Sequence, residues 1–113
     1  MRFALGVAEL ADSIGAKIVV FTKSGLTAIR LSRYRPRVQI LAGTPSDTVF
    51  RRLKLLWGVE ARVINDQDYD KGMVDTLNEY IKEGLIKHGD LVVLTYGLRP
   101  DVSEYEHVIK LIR

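Results

Sequence analysis

The chain alternates between two hydrophobic patterns from one end to the other. In four segments, apolar residues recur three and four positions apart, which is the spacing of a helix with one buried face. Between and after them lie five short apolar runs of the kind that form strands. The predicted helices are Phe3–Ile14, Leu26–Tyr34, Thr48–Trp57 and Met73–Ile86, and the predicted strands are Ala16–Phe21, Val38–Ala42, Val59–Ile64, Leu91–Thr95 and His107–Ile112.

Residues that begin or end helices mark several of the boundaries. Pro36 disfavours helical geometry in the residue before it, so the second helix has to stop there. Ser46 or Asp47 suits the N-cap of the third helix, and Gly58 suits its end. The predicted buried stripes are Val49, Leu53, Leu56 and Trp57 on the third helix and Val74, Leu77, Ile81 and Leu85 on the fourth.

The alternation of helices and strands, with short connections, predicts an α/β domain whose largely parallel sheet lies between two layers of helices. Continuous apolar runs such as Ala16–Phe21 suit central strands that are buried on both faces. Val59–Ile64 alternates and is predicted to be less buried, and His107–Ile112 is predicted to be an edge strand. With a length of 113 residues, the chain is expected to form one domain that spans residues 1–113.

Composition narrows the classes of function. The chain has no cysteine, which excludes a disulfide framework, a zinc–thiolate site and a cysteine nucleophile. Its apolar runs are short and broken by acids, so we predict no signal peptide and no membrane-spanning segment, and we expect a cytoplasmic protein. A net charge of +3 mildly favours anionic partners, but 17 basic residues are scattered among 14 acidic ones, a pattern that does not support nucleic-acid binding.

The connection between the first strand and the second helix carries the most suggestive chemistry. Residues 22–27 read TKSGLT. A strand that enters a helix through this turn leaves backbone N–H groups free at the helix start, surrounded by hydroxyl groups and one ammonium group. The alternative interpretation is purely structural, with Ser24 as a plain helix cap and Gly25 as a relief of backbone crowding. The candidate phosphate site consists of Thr22, Lys23, Ser24, Gly25 and Thr27.

Other groups of polar residues give weaker signals. Lys71 stands where a calcium loop would need glycine, and Leu77 where it would need its last glutamate, so the aspartates of the linker 65–72 are predicted to cap a helix and to bind no metal. His88 and His107 have no serine or carboxylate partner at a motif spacing, and no catalytic residue is assigned. Walker and dinucleotide glycine patterns are absent, and no cofactor is predicted.

Two motifs around the turn carry a resemblance to a known family. Residues 22–28 read TKSGLTA, and residues 32–36 read SRYRP. Both closely resemble the C-terminal domain of pyruvate kinases, where a Thr-x-Ser-Gly-x-Thr-Ala turn is followed by Ser-Arg-Tyr-Arg-Pro. Residues 53–59 (LKLLWGV) and 89–93 (GDLVV) are similar to later segments of the same domain, in the same order.

The resemblance implies a fold, a site and partners. It implies a three-layer α/β/α sandwich with strand order 3-2-1-4-5 and an antiparallel fifth strand. The order then reverses between strands one and four, where open α/β sheets favour a ligand crevice. In regulated members of the family this turn holds an effector phosphate, and C-terminal domains meet across a twofold axis through the edge strand. A homodimer through His107–Ile112 is therefore expected.

The resemblance also implies what this chain lacks. The catalytic barrel of the family, with its substrate, metal and nucleotide sites, is expected to be absent. The family's Gly-Thr-Thr-Asn-like effector loop is replaced here by residues 99–106, RPDVSEYE, so a sugar-bisphosphate specificity is not carried over. Arg99, just past the fourth strand, is a lesser candidate for a second anion contact.

Three hypotheses about function follow. The first is a non-catalytic regulatory module that binds a phosphorylated small metabolite at the turn from Thr22 to Thr27. The second is a purely structural dimerisation module without a ligand. The third is the C-terminal part of a split or truncated pyruvate kinase, whose partner would be a separate catalytic subunit.

Overall fold

The computed structural model describes residues 2–96 and 107–112. Helices and strands alternate along the chain, as the hydrophobic pattern predicts. The elements are α1 (Arg2–Ile14), β1 (Lys17–Phe21), α2 (Leu26–Arg33), β2 (Ile40–Thr44), α3 (Asp47–Leu53), β3 (Val59–Val63), α4 (Tyr69–Lys82), β4 (Leu91–Tyr96) and β5 (His107–Leu111).

The five strands form one sheet in the order β3-β2-β1-β4-β5. β1 is parallel to β2 and β4, β2 is parallel to β3, and β5 is antiparallel to β4. This topology confirms the fold class and the strand order that the resemblance implies. The order reverses between β1 and β4, where Val20 pairs with Thr95 and Phe21 pairs with Tyr96. A topological switch point therefore lies at the carboxyl ends of these two strands.

Each face of the sheet is covered by its own hydrophobic core, which gives the three layers. Side chains of α1, α2 and α3 pack on one face against alternate residues of the strands, such as Ile18 and Val20 of β1. α4 packs on the other face, where Val19 and Phe21 point. Alternation along a strand sends neighbouring side chains to opposite faces, so the continuous apolar run of β1 supplies both cores.

Two glycines let α4 approach the sheet closely. A Cβ atom on Gly72 of α4 would overlap the ring of Phe21, and one on Gly43 of β2 would overlap the hydroxyl of Thr76. Thr76 is fully buried and donates its own hydrogen bond to the carbonyl of Gly72 at 2.6 Å. The close contact fixes the start of α4 beside the end of β1, and hence beside the candidate turn.

The predicted bounds of β2 were wrong by two residues at each end, and the predicted end of α3 was wrong by four. Residues 37 and 38 do not enter the sheet, because their backbone N–H groups donate to the carboxylate of Asp12 at 2.8 and 3.3 Å. The strand instead continues through Gly43 to Thr44. α3 ends at Leu53, and Trp57, predicted on the buried stripe of this helix, lies in the following turn and is 47% exposed.

The predicted start of α4 was wrong as well, and so were two of the four residues of its predicted buried stripe, since only Leu77 and Leu85 pack against the core. The helix begins at Tyr69 because the carboxylate of Asp68 accepts a hydrogen bond from Lys71 N–H at 3.3 Å. This confirms the predicted capping role of the linker aspartates. Val74 and Ile81 are exposed, and the buried side of the helix carries Gly72, Met73, Thr76, Leu77 and Tyr80.

Candidate functional site

The turn between β1 and α2 is held in shape by its own hydroxyl groups. Thr22 N–H donates to Gly43 O at 2.9 Å, which extends the sheet by one residue beyond β1. The Thr22 hydroxyl accepts from Gly25 N–H at 2.9 Å, and the Ser24 hydroxyl accepts from Leu26 N–H at 3.3 Å. Thr22 is buried and Ser24 is exposed, so only the serine hydroxyl faces solvent.

Gly25 is the N-cap residue of α2 and has a left-handed backbone, with φ of 86° and ψ of −6°. A side chain here would be strained by its backbone angle, and its Cβ would lie 3.0 Å from the Cγ1 atom of Val49. The prediction that Gly25 relieves backbone crowding is therefore confirmed. Ser24, the residue predicted as a plain cap, precedes the cap position, and no side chain caps α2.

The start of α2 offers directed backbone donors. The first hydrogen bond of the helix runs from Ile29 N–H to Gly25 O at 2.9 Å. The amides of Thr27 and Ala28 precede that bond, in the positions where a helix has no internal acceptors. Thr27 and Ala28 both have buried side chains, so these amides are fixed by packing against the core. A rigid pair of N–H groups at the positive end of a helix dipole suits an anion.

The ammonium group of Lys23 lies near the start of α4. Its Nζ atom is 4.8 Å from the centre of the Tyr69 ring, at the first residue of α4. Tyr69 also packs edge-on against Phe21, with 5.9 Å between the ring centres. The ammonium group is thus placed on the α4 side of the turn. It is close to the crevice but stacked on an aromatic ring.

Thr95 is a polar residue of the crevice that the predicted site does not include. It pairs with Val20 on the neighbouring strand and is fully buried. Its hydroxyl has no hydrogen-bond partner in the described part of the chain. The sequence places Thr95 at the end of an apolar strand and on the wall of the predicted crevice, but it does not show the missing hydrogen bond, because that depends on neighbours from other elements. Arg99, the remaining predicted anion contact, lies outside the described residues.

Two surface cavities of the described residues are lined by residues outside the turn. One, of about 390 Å³, is lined by the end of β3 and the side of α4, including Ile64, Asn65 and Lys82. A second, of about 410 Å³, is lined by Asp66, Asp70, Lys71, Val74 and Asp75. No group of three or more acidic or histidine side chains in ranges 2–96 and 107–112 has the arrangement of a metal site.

Comparison with known proteins gives the family. The family model for the pyruvate kinase alpha/beta domain matches residues 2–112. The chain belongs to this family. The pyruvate kinase of Pyrobaculum aerophilum is 37% identical over 101 residues, which cover 89% of this chain and 20% of the relative. That of Aeropyrum pernix is 38% identical over 93 residues, covering 82% of this chain and 20% of the relative.

Solved structures agree with the sequence relatives. The crystal structure of pyruvate kinase from Pyrobaculum aerophilum superposes with a TM-score of 0.74 at 35% identity, covering 97% of this chain and 22% of the other. Cryptosporidium parvum pyruvate kinase in complex with ADP superposes with a TM-score of 0.79 at 29% identity, also covering 97% of this chain. The chain thus spans about a fifth of the length of the pyruvate kinases it matches. None of the helices in the described ranges is long and apolar enough to cross a membrane.

Proposed function

We propose that this chain is a regulatory module of a pyruvate kinase and binds a phosphorylated small metabolite at the turn from Thr22 to Thr27. The observation that carries the proposal is the open start of α2, which no side chain caps and whose preceding loop is fixed by the hydroxyls of Thr22 and Ser24. Preorganised amides lose little entropy when they bind an anion. A cytoplasmic location is part of the same proposal.

Within this proposal, the amides of Thr27 and Ala28 bind phosphate oxygens, and the exposed Ser24 hydroxyl adds a further contact. Lys23 supplies the charge. Stacking on an exposed aromatic ring contributes about 0.5–1 kcal/mol, whereas a hydrogen bond to a charged group contributes about 1.5–3 kcal/mol. A phosphate group at the turn therefore outcompetes Tyr69 for the Lys23 ammonium. The helix dipole alone contributes only about 0.3–1 kcal/mol, so these directed donors set the affinity.

The test is a thermal shift assay of the chain with a panel of phosphorylated sugars, nucleotides and inorganic phosphate. A ligand at about 100 times its dissociation constant stabilises the folded chain by roughly 2.7 kcal/mol. The double variant Ser24→Ala/Thr27→Ala removes both hydroxyls and keeps the backbone amides, so it should reduce this shift. The control Ser13→Ala removes an exposed hydroxyl at the end of α1, beside the amino end of the sheet, and should keep the shift.

The proposal fails if no member of the panel moves the unfolding transition. It fails equally if the Ser24→Ala/Thr27→Ala variant keeps the full shift. A further variant, Lys23→Met, separates the contribution of the charge from that of the backbone amides. It should weaken binding of the dianionic ligands. The stability of the free chain should change by no more than about 0.5–1 kcal/mol, which is the contribution of the lost stacking on Tyr69.

A second proposal concerns self-association. β5 is an edge strand, and Val108, Ile109 and Leu111 are each 46–50% exposed on it. Unpaired backbone groups on an apolar edge strand are a template for pairing with a second copy. We infer a homodimer in which the two β5 strands pair antiparallel across a twofold axis. In the absence of a ligand, this dimerisation is the alternative function of the chain.

The third hypothesis is that the chain acts with a separate catalytic subunit, as part of a split pyruvate kinase. It is supported by the length comparison, since the relatives contain about five times as much chain. A gene beside this one that encodes a barrel without its own α/β domain would support a split enzyme. A neighbourhood with no such gene would count against it.

A further inference from the structure

Lys23 and Tyr69 form a contact that joins the candidate turn to the opposite layer of the fold. Phe21, the last residue of β1, points into the core beneath α4. Two residues later the Lys23 ammonium lies on the same side, with Nζ 4.8 Å from the centre of the Tyr69 ring. The amides of Thr27 and Ala28 belong to α2, which packs on the other face of the sheet. The charge and the amide donors of the proposed site therefore lie on opposite sides of the end of β1.

The Tyr69 ring is the fixed partner in this contact. It meets Phe21 edge-on, with 5.9 Å between the ring centres and 90° between the ring planes. Phe21 is fully buried, and its ring lies against Gly72 in the first turn of α4. Asp68, the residue before Tyr69, caps the same turn. Lys23 carries its ammonium on a flexible four-carbon stem, so the lysine is the partner that can move.

The contact gives the Lys23 ammonium two positions. In this structure the ammonium is stacked on the Tyr69 ring. In the second position it crosses the end of β1 and binds a phosphate oxygen at the start of α2. We propose that Tyr69 is a latch, which holds the Lys23 ammonium away from the phosphate site and lowers the affinity of that site for its ligand. This inference rests on the proposed phosphate site and adds a residue that regulates it.

The strength of the contact sets the size of the effect. Stacking of a cation on an exposed aromatic ring changes an equilibrium about two- to fivefold. Lys23 and Tyr69 are both half-buried, so a ligand in solvent can reach the contact. A ligand gains the lysine charge only after the stacking is broken, and its apparent dissociation constant rises by about the same factor. The latch therefore weakens binding without closing the site.

Release of the latch also reaches the start of α4. When the ligand draws Lys23 away, the face of the Tyr69 ring loses its cation while the ring keeps its contact with Phe21. Tyr69 is the first residue of α4. Occupancy of the turn on the α2 side of the sheet thus changes the surroundings of a helix on the other side.

The test is an NMR titration of the chain with inorganic phosphate as the probe. Dissociation constants are taken from the amide signals of Thr27 and Ala28 in the wild type and in variants of Tyr69. Tyr69→Leu removes the aromatic face and should bind phosphate about two- to fivefold more tightly. Tyr69→Met, a second substitution without a ring, should give the same gain. The matched control Tyr69→Phe keeps the aromatic face and should bind phosphate as the wild type does.

A double-mutant cycle separates the latch from a change in the shape of the turn. In a Lys23→Met background there is no ammonium to release, so Tyr69→Leu should leave the dissociation constant unchanged. The Cε protons of Lys23 report the stacking directly. In the free chain the ring current of Tyr69 should shift them upfield, and phosphate should move them toward their position in Tyr69→Leu.

The outcomes distinguish the latch from the phosphate site. Equal affinities of the wild type, Tyr69→Leu and Tyr69→Met would overturn the latch and leave the phosphate site standing. A gain in affinity that persists in the Lys23→Met background would overturn it as well, because the ammonium would then have no part in the gain. If phosphate moves the amide signals of Thr27 and Ala28 in none of the proteins, the phosphate site fails and the latch fails with it.

Discussion

Thr95 buries a hydroxyl group beside the switch point of the sheet without a hydrogen-bond partner among the described residues. A buried, unpaired polar group costs about 1–3 kcal/mol. Thr76, on the opposite core, is equally buried but donates to Gly72 O at 2.6 Å. Burial of a threonine hydroxyl therefore lowers the stability of the folded chain at Thr95, whereas the hydrogen bond of Thr76 stabilises it.

This contrast predicts opposite effects of one substitution. Thr95→Val keeps the branched shape and removes the unpaired hydroxyl, so it should raise the free energy of unfolding by about 1 kcal/mol. Thr76→Val removes a satisfied hydrogen bond and should lower that free energy by about 1 kcal/mol. Urea denaturation of both variants at neutral pH measures the difference. A Thr95→Val variant less stable than the wild type would mean that the hydroxyl has a partner in the folded chain.

At the scale of elements, α4 is placed by contact between a helix backbone and an aromatic ring. Gly72 lies directly against Phe21, and Phe21 lies against Tyr69 at the helix start. Glycine normally weakens a helix by about 1 kcal/mol relative to alanine. Here the missing side chain allows the close approach, so the local cost is offset by packing.

Alanine substitution at two helical glycines tests this account. Gly72→Ala forces a Cβ into the Phe21 ring and should lower the free energy of unfolding by about 1–3 kcal/mol, despite its better helix propensity. At Gly6, within α1, no neighbouring atom lies within 4 Å of the place that a Cβ would occupy, so Gly6→Ala should raise stability by about 1 kcal/mol. Thermal or urea unfolding measures the change in stability of both variants. Equal changes at the two positions would rule out the packing explanation.

An ion pair ties β3 to the end of α4 and gives a pH dependence. Arg62 donates through Nε and Nη2 to the Glu83 carboxylate at 2.7–3.0 Å. This lowers the pKa of Glu83 to about 2. The same carboxylate raises the pKa of Glu79, which acts in the opposite direction. A depressed carboxyl pKa adds stability above the unfolded pKa, and that stability is lost as the pH falls through the folded pKa.

Comparison of Glu79→Gln with the double variant Glu79→Gln/Glu83→Gln isolates the Glu83 effect. At pH 6 the single variant should be the more stable of the two. The difference should shrink as the pH falls below the ordinary glutamate pKa of 4.5, and it should be lost once Glu83 is protonated in the folded chain as well. Urea denaturation across this pH range measures it, and a difference that does not change with pH would contradict the role of the ion pair.

Hydrophobic periodicity was enough to predict the type and order of every element that the structure describes, but not which side of α4 is buried. The pattern treats Val74 and Ile81 as buried, whereas the helix buries Tyr80. The Tyr80 hydroxyl donates to Ala42 O at 2.7 Å, so a polar aromatic residue can occupy the core. Such a bond depends on a strand 38 residues away, which no local pattern contains.

The candidate turn was predictable to the same limited extent. Residue types alone indicated free helix amides and a glycine that relieves backbone crowding, and the close approach of Val49 to Gly25 confirms the second point. They did not indicate that Lys23 stacks on Tyr69 or that Thr95 has no partner among the described residues, because both depend on elements brought together by the sheet. Ligand binding at the turn stays a prediction.

At the scale of the whole molecule, the two edges of the sheet differ in their protection. Next to β3, Ile64 N–H donates to Thr44 O of β2. Successive residues of a strand direct their backbone groups to opposite sides, so the backbone groups of Ala61, three residues earlier, face the free edge of the sheet. Arg62 donates from Nη1 to the Ala61 carbonyl at 2.7 Å, which blocks this edge. β5 presents apolar side chains on both faces, since Ile109, opposite Val93, lies on one face and Val108, opposite Leu94, lies on the other. Charged side chains protect an edge strand from pairing, and apolar ones invite it.

The chain should therefore dimerise through β5 and not through β3. Ile109 is the central residue of β5, so a twofold axis through the strand brings the two Ile109 side chains together. Ile109→Lys places like charges opposite each other and should make the protein monomeric, whereas the control Val74→Lys, at an exposed position of α4, should leave the dimer intact. Sedimentation velocity at several protein concentrations measures both. A wild-type chain that stays monomeric at high concentration, or an Ile109→Lys variant that still dimerises, would show that this edge is not the interface.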